Sequence, residues 1–190
     1  RDRAGAGSPE APEAFAGEFG GRGLGAGPGL GRFGRVGDGR GRRTVATFIV
    51  ILADVNVLIY AFRPDAPKHR ICKDWLESVV NGDARYGVSP LALSALVRIT
   101  TNRRAFPQPT PIAEAFAFCE RLMSEAHAVL VEPGHRHWRI FERLCRDGGV
   151  AGPDVADAWY AALAIEHGCR FITYDRDFAR FPGLDWREPG

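Results

Sequence analysis

The chain has no pair of cysteines spaced for metal binding or redox chemistry. Its four cysteines, Cys72, Cys119, Cys145 and Cys169, stand far apart and include no C-x-x-C. All but Cys169 fall in helical patterns, so they read as small buried hydrophobes of a reducing, cytoplasmic protein rather than a disulfide framework. A clean apolar run of membrane length is also missing. Residues 44–62 come nearest, but Asp54 and Asn56 sit near the middle, where a charge costs about 2.5 to 3.5 kcal/mol on insertion scales. That argues against a membrane span or signal peptide. The histidines offer no zinc pair, because His135 and His137 at i, i+2 take different helix faces, and His69 with Cys72 lacks further ligands. No internal repeat is present.

A strong charge of one sign is lacking too. The formal net charge is +2, and residues 1–43 hold 8 basic and 5 acidic side chains, which leaves −1 for the rest. A nearly neutral folded part excludes a protein that coats nucleic acid with a wholly basic surface. It leaves room for a basic rim around an acidic cleft. Residues 1–43 in turn lack any helical or strand period, and they carry 14 of the 23 glycines. Such a stretch buries too little apolar surface to offset its ordering entropy. We therefore expect a disordered Gly/Arg-rich tail over residues 1–47 and one folded domain over 48–190. The tail's arginines leave RNA contact open, beside the readings of a bland tail or a start codon assigned too far upstream.

From residue 48 onward strands and helices alternate. A buried strand at 48–53 turns into a helix near Asn56, and Pro64-Asp65-Ala66-Pro67 breaks the pattern. A helix over 68–80 is expected to face inward with Ile71, Trp75, Leu76 and Val79. Tyr86-Gly87-Val88 is a strand, and Ser89-Pro90 caps a helix to about Thr100. Thr110-Pro111 opens a helix with the apolar stripe Ala115, Phe118, Cys119 and Leu122. A strand at 128–131 precedes a helix over 135–145 with Trp138, Phe141, Leu144 and Cys145 inward. A helix over 154–167, a strand over 169–174 and an extended piece at Asp185-Trp186 complete the domain. This alternation predicts an α/β fold, a three-layer α/β/α sandwich around a mostly parallel sheet.

Acidic residues mark the ends of these elements. Asp54 follows the first apolar strand, Asp175 follows Phe171-Ile172-Thr173-Tyr174, and Asp157 opens an alanine-rich helix. In a parallel sheet ligands collect outside the carboxyl ends of the strands. Asp157, Ala161, Ala164 and Ile165 share one helix face, which aims that acid toward the same edge. A buried carboxylate is costly unless a partner neutralises it. Oxygen-only ligands suit Mg²⁺ or Mn²⁺, which lower the pKa of a bound water and stabilise phosphoryl charge. Phosphodiester hydrolysis is the reaction that fits. Local capping is the bland alternative: Asp54 as an N-cap, Asp154 and Asp157 as a capping pair, Asp177 as the cap of a short turn at 178–180. Arg98, Arg103, Arg104, Arg176 and Arg180 fall near the expected cleft, where they would hold RNA phosphates or simply solvate helix faces.

Asp54-Val55-Asn56-Val57-Leu58-Ile59, Asp157-Ala158-Trp159-Tyr160-Ala161-Ala162-Leu163-Ala164 and Thr173-Tyr174-Asp175-Arg176-Asp177-Phe178-Ala179-Arg180-Phe181 resemble the signature blocks of PIN-domain ribonucleases of the VapC toxin kind. The resemblance runs from about Ile49 to Pro189 and takes in Arg98-Ile99-Thr100-Thr101-Asn102 and Phe181-Pro182-Gly183-Leu184. It implies a PIN-like fold and a Mg²⁺-dependent endoribonuclease that acts on RNA, forms a homodimer and is held inactive by a co-expressed VapB-type antitoxin. It implies catalytic, metal-binding roles for Asp54, Asp157 and Asp175, with Asn56 and Thr173 beside them. It also implies a domain that begins just before its first strand, so that Val50 itself suits an initiating codon. One position departs from the pattern. Many members carry a glutamate three residues before the arginine matching Arg98, and here that residue is Ala95. With one carboxylate fewer, either a second metal is weak or Asp154 or Asp177 substitutes. Ala95 is also the best support for the rival reading, a catalytically weak PIN-like module that binds RNA or a protein. A phosphotransferase using Asp54 as nucleophile is disfavoured by Asn56, where such sites place a second acid.

Overall fold

Ile51–Ala53 forms β1, the middle strand of a five-stranded sheet of order β3-β2-β1-β4-β5 in which every neighbouring pair is parallel. The computed structural model describes residues 49–190, so the expectations for the tail and for Phe48 lie outside the described residues. The other strands are β2 (Tyr86–Val88), β3 (Ala128–Leu130), β4 (Arg170–Ile172) and β5 (Asp185–Arg187). Six helices connect them: α1 (Val55–Phe62), α2 (His69–Val80), α3 (Pro90–Thr100), α4 (Ile112–Ser124), α5 (His137–Asp147) and α6 (Val155–His167). Short 3₁₀ turns at Gly152–Asp154 and Arg176–Arg180 precede α6 and follow β4. The sheet and the helices reproduce the predicted α/β architecture.

The strand order places the site. From β1 the chain builds outward through β2 and β3, then returns to pair β4 on the other side of β1. The order reverses between β1 and β4, and the crevice beyond the carboxyl ends at such a switch point is where open parallel sheets receive ligands. Leu52 and Phe171, paired across these two strands, are 1% and 0% exposed. Ala158, Ala161, Ala162 and Ala164 of α6 are likewise fully buried, and their small side chains allow that helix a close approach. On the other flank, a Cβ on Gly87 would lie 2.8 Å from Val131 Cγ2 and 3.2 Å from Leu52 Cδ1. Only glycine leaves β2 room between these neighbours. Gly168, with φ of 63°, terminates α6 in the left-handed conformation usual just past a helix end.

Two helices are rotated relative to the faces expected from sequence. On α2 the buried row is Cys72, Leu76 and Val80, while Ile71 is 55% exposed and Trp75 and Val79 are half-buried. The row that packs inward is thus the i, i+4 row that includes the small Cys72. On α5, Trp138 is 63% exposed, Phe141 and Cys145 are half-buried, and His137 is turned inside at 2%. The reason is long-range: Glu166 of α6 accepts backbone N–H bonds from Gly134 and Arg136, each 2.8 Å, which fixes how α5 starts and so how it is rotated. His137 then sets Nε2 3.1 Å from the Trp159 carbonyl. The stripe predicted for α4 is the buried one, Ala115, Phe118, Cys119 and Leu122. All four cysteines are free, and burial pushes the Cys119 and Cys169 thiols up to about 11. Among the described residues no helix is long and apolar enough to cross a membrane.

Candidate active site

Asp54 is held where β1 turns into α1. Its N–H donates to Ile172 O at 2.9 Å, extending the β1 to β4 ladder by one bond. Its side chain caps α1, with Oδ1 accepting from the Val55 N–H at 2.6 Å. Oδ2 accepts from Thr173 Oγ1 at 2.6 Å and from Asn56 Nδ2 at 2.7 Å. Asn56 Nδ2 also donates to Thr173 Oγ1 at 2.9 Å, and that oxygen accepts the Asp175 N–H at 2.9 Å. Asn56 and Thr173 therefore lock Asp54 to the end of β4. The cap reading and the site reading of Asp54 describe the same geometry.

The electrostatics of the acids are coupled. Burial, at 4% exposure, is the main reason the Asp54 carboxyl rises to about 6. Hydrogen bonds from Thr173 and Val55 oppose the rise, and the charges of Asp157 and Asp175 add to it. Asp157, in the first turn of α6, is raised by burial, then by Asp175 and Asp154, with Arg180 pulling the other way. Each of the three acids thus lies close enough to repel another. Asp175 caps the turn after β4 by accepting the Asp177 N–H at 2.9 Å, so the cap expected at Asp177 is made by Asp175 instead. Asp154 stands at the N-cap position of α6 without a capping bond. Its carboxylate meets Arg180 Nη1 at 2.8 Å, and Arg180 Nη2 lies 3.8 Å from Asp157.

The family model of the PIN domain matches residues 51–184. The chain belongs to the PIN-domain family. It is 40% identical over 135 residues to Ribonuclease VapC25 of Mycobacterium tuberculosis, covering 71% of this chain and 95% of that one. To Ribonuclease VapC43 of the same organism it is 39% identical over 140 residues, covering 74% and 95%. Among solved structures, VapBC2 from Rickettsia felis bound to a promoter DNA fragment superposes with a TM-score of 0.55 at 14% identity, covering 74% of this chain and 98% of that one. VapC20 from Mycobacterium tuberculosis, titled a sarcin-ricin loop cleaving toxin, gives 0.53 at 17% identity, covering 72% and 98%. At such identities these structures speak to the PIN fold alone.

In this PIN domain, no three His, Cys, Asp or Glu side chains among the described residues form a ready cage for a metal ion. The donors nevertheless fit a hydrated Mg²⁺, which binds through one or two carboxylates and keeps several waters. Burial first, and then the neighbouring carboxylates, raise Asp54 and Asp157, a cost that an added cation would offset. Of the arginines expected on phosphates, Arg180 is engaged by Asp154 and Asp157, and Arg176 pairs with Glu188 at 3.3 Å. Arg98 is exposed, as are Arg103 and Arg104. Sequence reasoning missed Tyr160, a 7% exposed residue one turn past Asp157. Burial, then Asp54 and Asp157 against the pull of Arg98, pushes its hydroxyl up to about 12. Its i, i+3 spacing from Asp157 was the available signal.

The Asp54 shift has a measurable consequence. The folded pKa of about 6 exceeds the unfolded value of about 3.9, so without metal the folded state favours the protonated acid. That stabilisation is complete below about pH 4 and is lost as pH rises through about 6, to a total of up to about 3 kcal/mol. Urea unfolding of the chelated protein should show this contribution falling between about pH 4 and pH 7 and level above that. Asp54→Asn should flatten much of that slope, and an unchanged slope would contradict the coupling.

Proposed function

We propose that this chain is a metal-dependent endoribonuclease of the VapC toxin kind, its PIN domain spanning residues 48–190. The observation that carries the reading is Asp54: a buried carboxylate poised near 6, fixed by Asn56 and Thr173, and coupled to Asp157 and Asp175 at the switch between β1 and β4. Asp54, Asp157 and Asp175 would hold Mg²⁺ or Mn²⁺, which supplies hydroxide near neutral pH and neutralises charge on the phosphoryl oxygens. Asn56 and Thr173 orient Asp54 by filling one of its oxygens with donors. Asp154 keeps Arg180 beside Asp157, a position from which the guanidinium would be available to an RNA phosphate. Arg98, close to Tyr160, is the other cation placed to meet substrate.

The relatives' names, ribonucleases VapC25 and VapC43, support RNA as substrate. The neighbouring structures titled VapBC support a VapB-type antitoxin as partner. A homodimer in the cytoplasm completes the proposal. Purified chain incubated with structured RNA and Mg²⁺ should cut internal phosphodiester bonds, lose that activity in EDTA and regain it with excess Mg²⁺. Cleavage indifferent to the chelator would overturn metal dependence. Binding of RNA or a partner without any cleavage would favour the weak-module reading that Ala95 suggests.

A further inference from the structure

The outer face of α5 concentrates positive charge in a domain whose net charge over residues 44–190 is −1. Arg136 at its N-cap and Arg139, Arg143 and Arg146 along it are spaced 3, 4 and 3 residues apart, all exposed on one face. Only Glu142 and Asp147 offset them within the helix. Arg136 is partly occupied, donating to Glu166 O at 2.6 Å, and Arg146 pairs with Glu142 at 2.8 Å. Arg139 and Arg143 carry no ion pair among the described residues.

Beside this ridge stands Trp138, 63% exposed yet held. Its ring lies 5.6 Å from Phe141, which meets Trp159 edge-on at 5.1 Å, and Trp159 packs 4.2 Å from His137. The chain of rings ties an exposed indole to α6, two residues past Asp157. The two helices run antiparallel, because the start of α5 is bonded to Glu166 near the end of α6. The ridge therefore leads over about 15 Å of helix toward the end of the sheet that carries Asp154 and Asp157.

We propose that Trp138 is a base-stacking subsite for single-stranded RNA, with Arg139 and Arg143 holding the flanking phosphates. The inference rests on the endoribonuclease reading for its choice of substrate. A supported aromatic face next to unpaired arginines is the recognition chemistry of unpaired nucleic acid, since every base offers a π-face and every linkage a negative charge. An acidic peptide would account for the arginines but not for a fixed, open indole.

The test uses the full chain carrying Asp54→Asn, so that binding is read without cleavage, and a fluorescein-labelled oligouridine 12-mer in EDTA at several KCl concentrations. Trp138→Ala should weaken binding of the single strand by about tenfold. Trp138→Phe should weaken it by less than about threefold, and a duplex of equal length should be insensitive to either change. Arg139→Gln and Arg143→Gln should each lower the salt slope by about 0.7. No binding by the parent protein, or Trp138→Ala within twofold of it, overturns the subsite. So does a Trp138→Ala protein that keeps its RNA affinity but changes oligomeric state or loses a bound protein partner. Cleavage by the unaltered chain, measured in parallel, separates the two readings. Absent cleavage with an intact Trp138 effect removes the endoribonuclease and leaves the subsite, whereas cleavage with an inert Trp138 removes the subsite alone.

Discussion

Asp54→Asn lowers RNA cleavage at saturating Mg²⁺ by more than about a hundredfold while the protein stays folded. The substitution keeps the shape of the side chain and an oxygen for the Val55 N–H that caps α1. It removes the charge, and with it the reason for a cation to sit at the end of β1. The loss should appear in kcat rather than in RNA affinity, because the RNA contacts proposed for Arg98 and for α5 are untouched. Apo-protein stability near pH 8 should change little, since asparagine escapes the cost of a buried charge there but sets its amide nitrogen against the Thr173 hydroxyl and Asn56 amide from which Asp54 Oδ2 accepts. Initial rates on a structured RNA decide the matter. A rate within fivefold of the unaltered chain would remove Asp54 from the chemistry, and with it the observation on which the proposed function stands.

Phe171→Ala destabilises the domain by about 3 to 5 kcal/mol, a large share of the roughly 5 to 15 kcal/mol typical of a whole domain. Phe171 is 0% exposed in the middle of β4, paired with Leu52 on one side and Trp186 on the other. Its ring lies 4.8 Å from that of Phe178, which packs 5.7 Å from Phe181. Truncation loses the buried ring and leaves a cavity that a central strand cannot collapse to fill. The expected fall in Tm is on the order of 10 to 20 °C, and a fall under about 3 °C would contradict this packing. The effect should also reach the site. Phe178 belongs to the turn that Asp175 caps and that carries Arg180, so metal affinity should weaken along with stability.

Much of the fold was legible from short windows. Tyr86–Val88 and the α4 stripe follow from β-forming residues between turn signals and from an i, i+3, i+4 apolar pattern. The rotations of α2 and α5 were not legible, because each helix offers two apolar rows of similar width. On α5 the choice was made by Glu166, a residue 30 positions away from the Arg136 N–H it accepts. The candidate acids were legible as strand ends and a helix start. Arg180 was legible near the cleft, but its ion pair was not, since nothing local shows that it reaches back to Asp154, 26 residues earlier.

By itself the sequence determined the kind and order of the elements, the glycine-rich composition of the first 43 residues, and which acids fall at element ends. These depend on periodicity, turn chemistry and composition, all of which act over a few residues. Tertiary structure alone decided that β4 lies beside β1, that Thr173 reaches Asp54 across 119 residues, and that burial with two neighbouring carboxylates raises Asp54 to about 6. The reason is physical. A carboxyl's proton affinity is set by the charges and solvent within a few ångströms, and only the assembled sheet brings those neighbours to it.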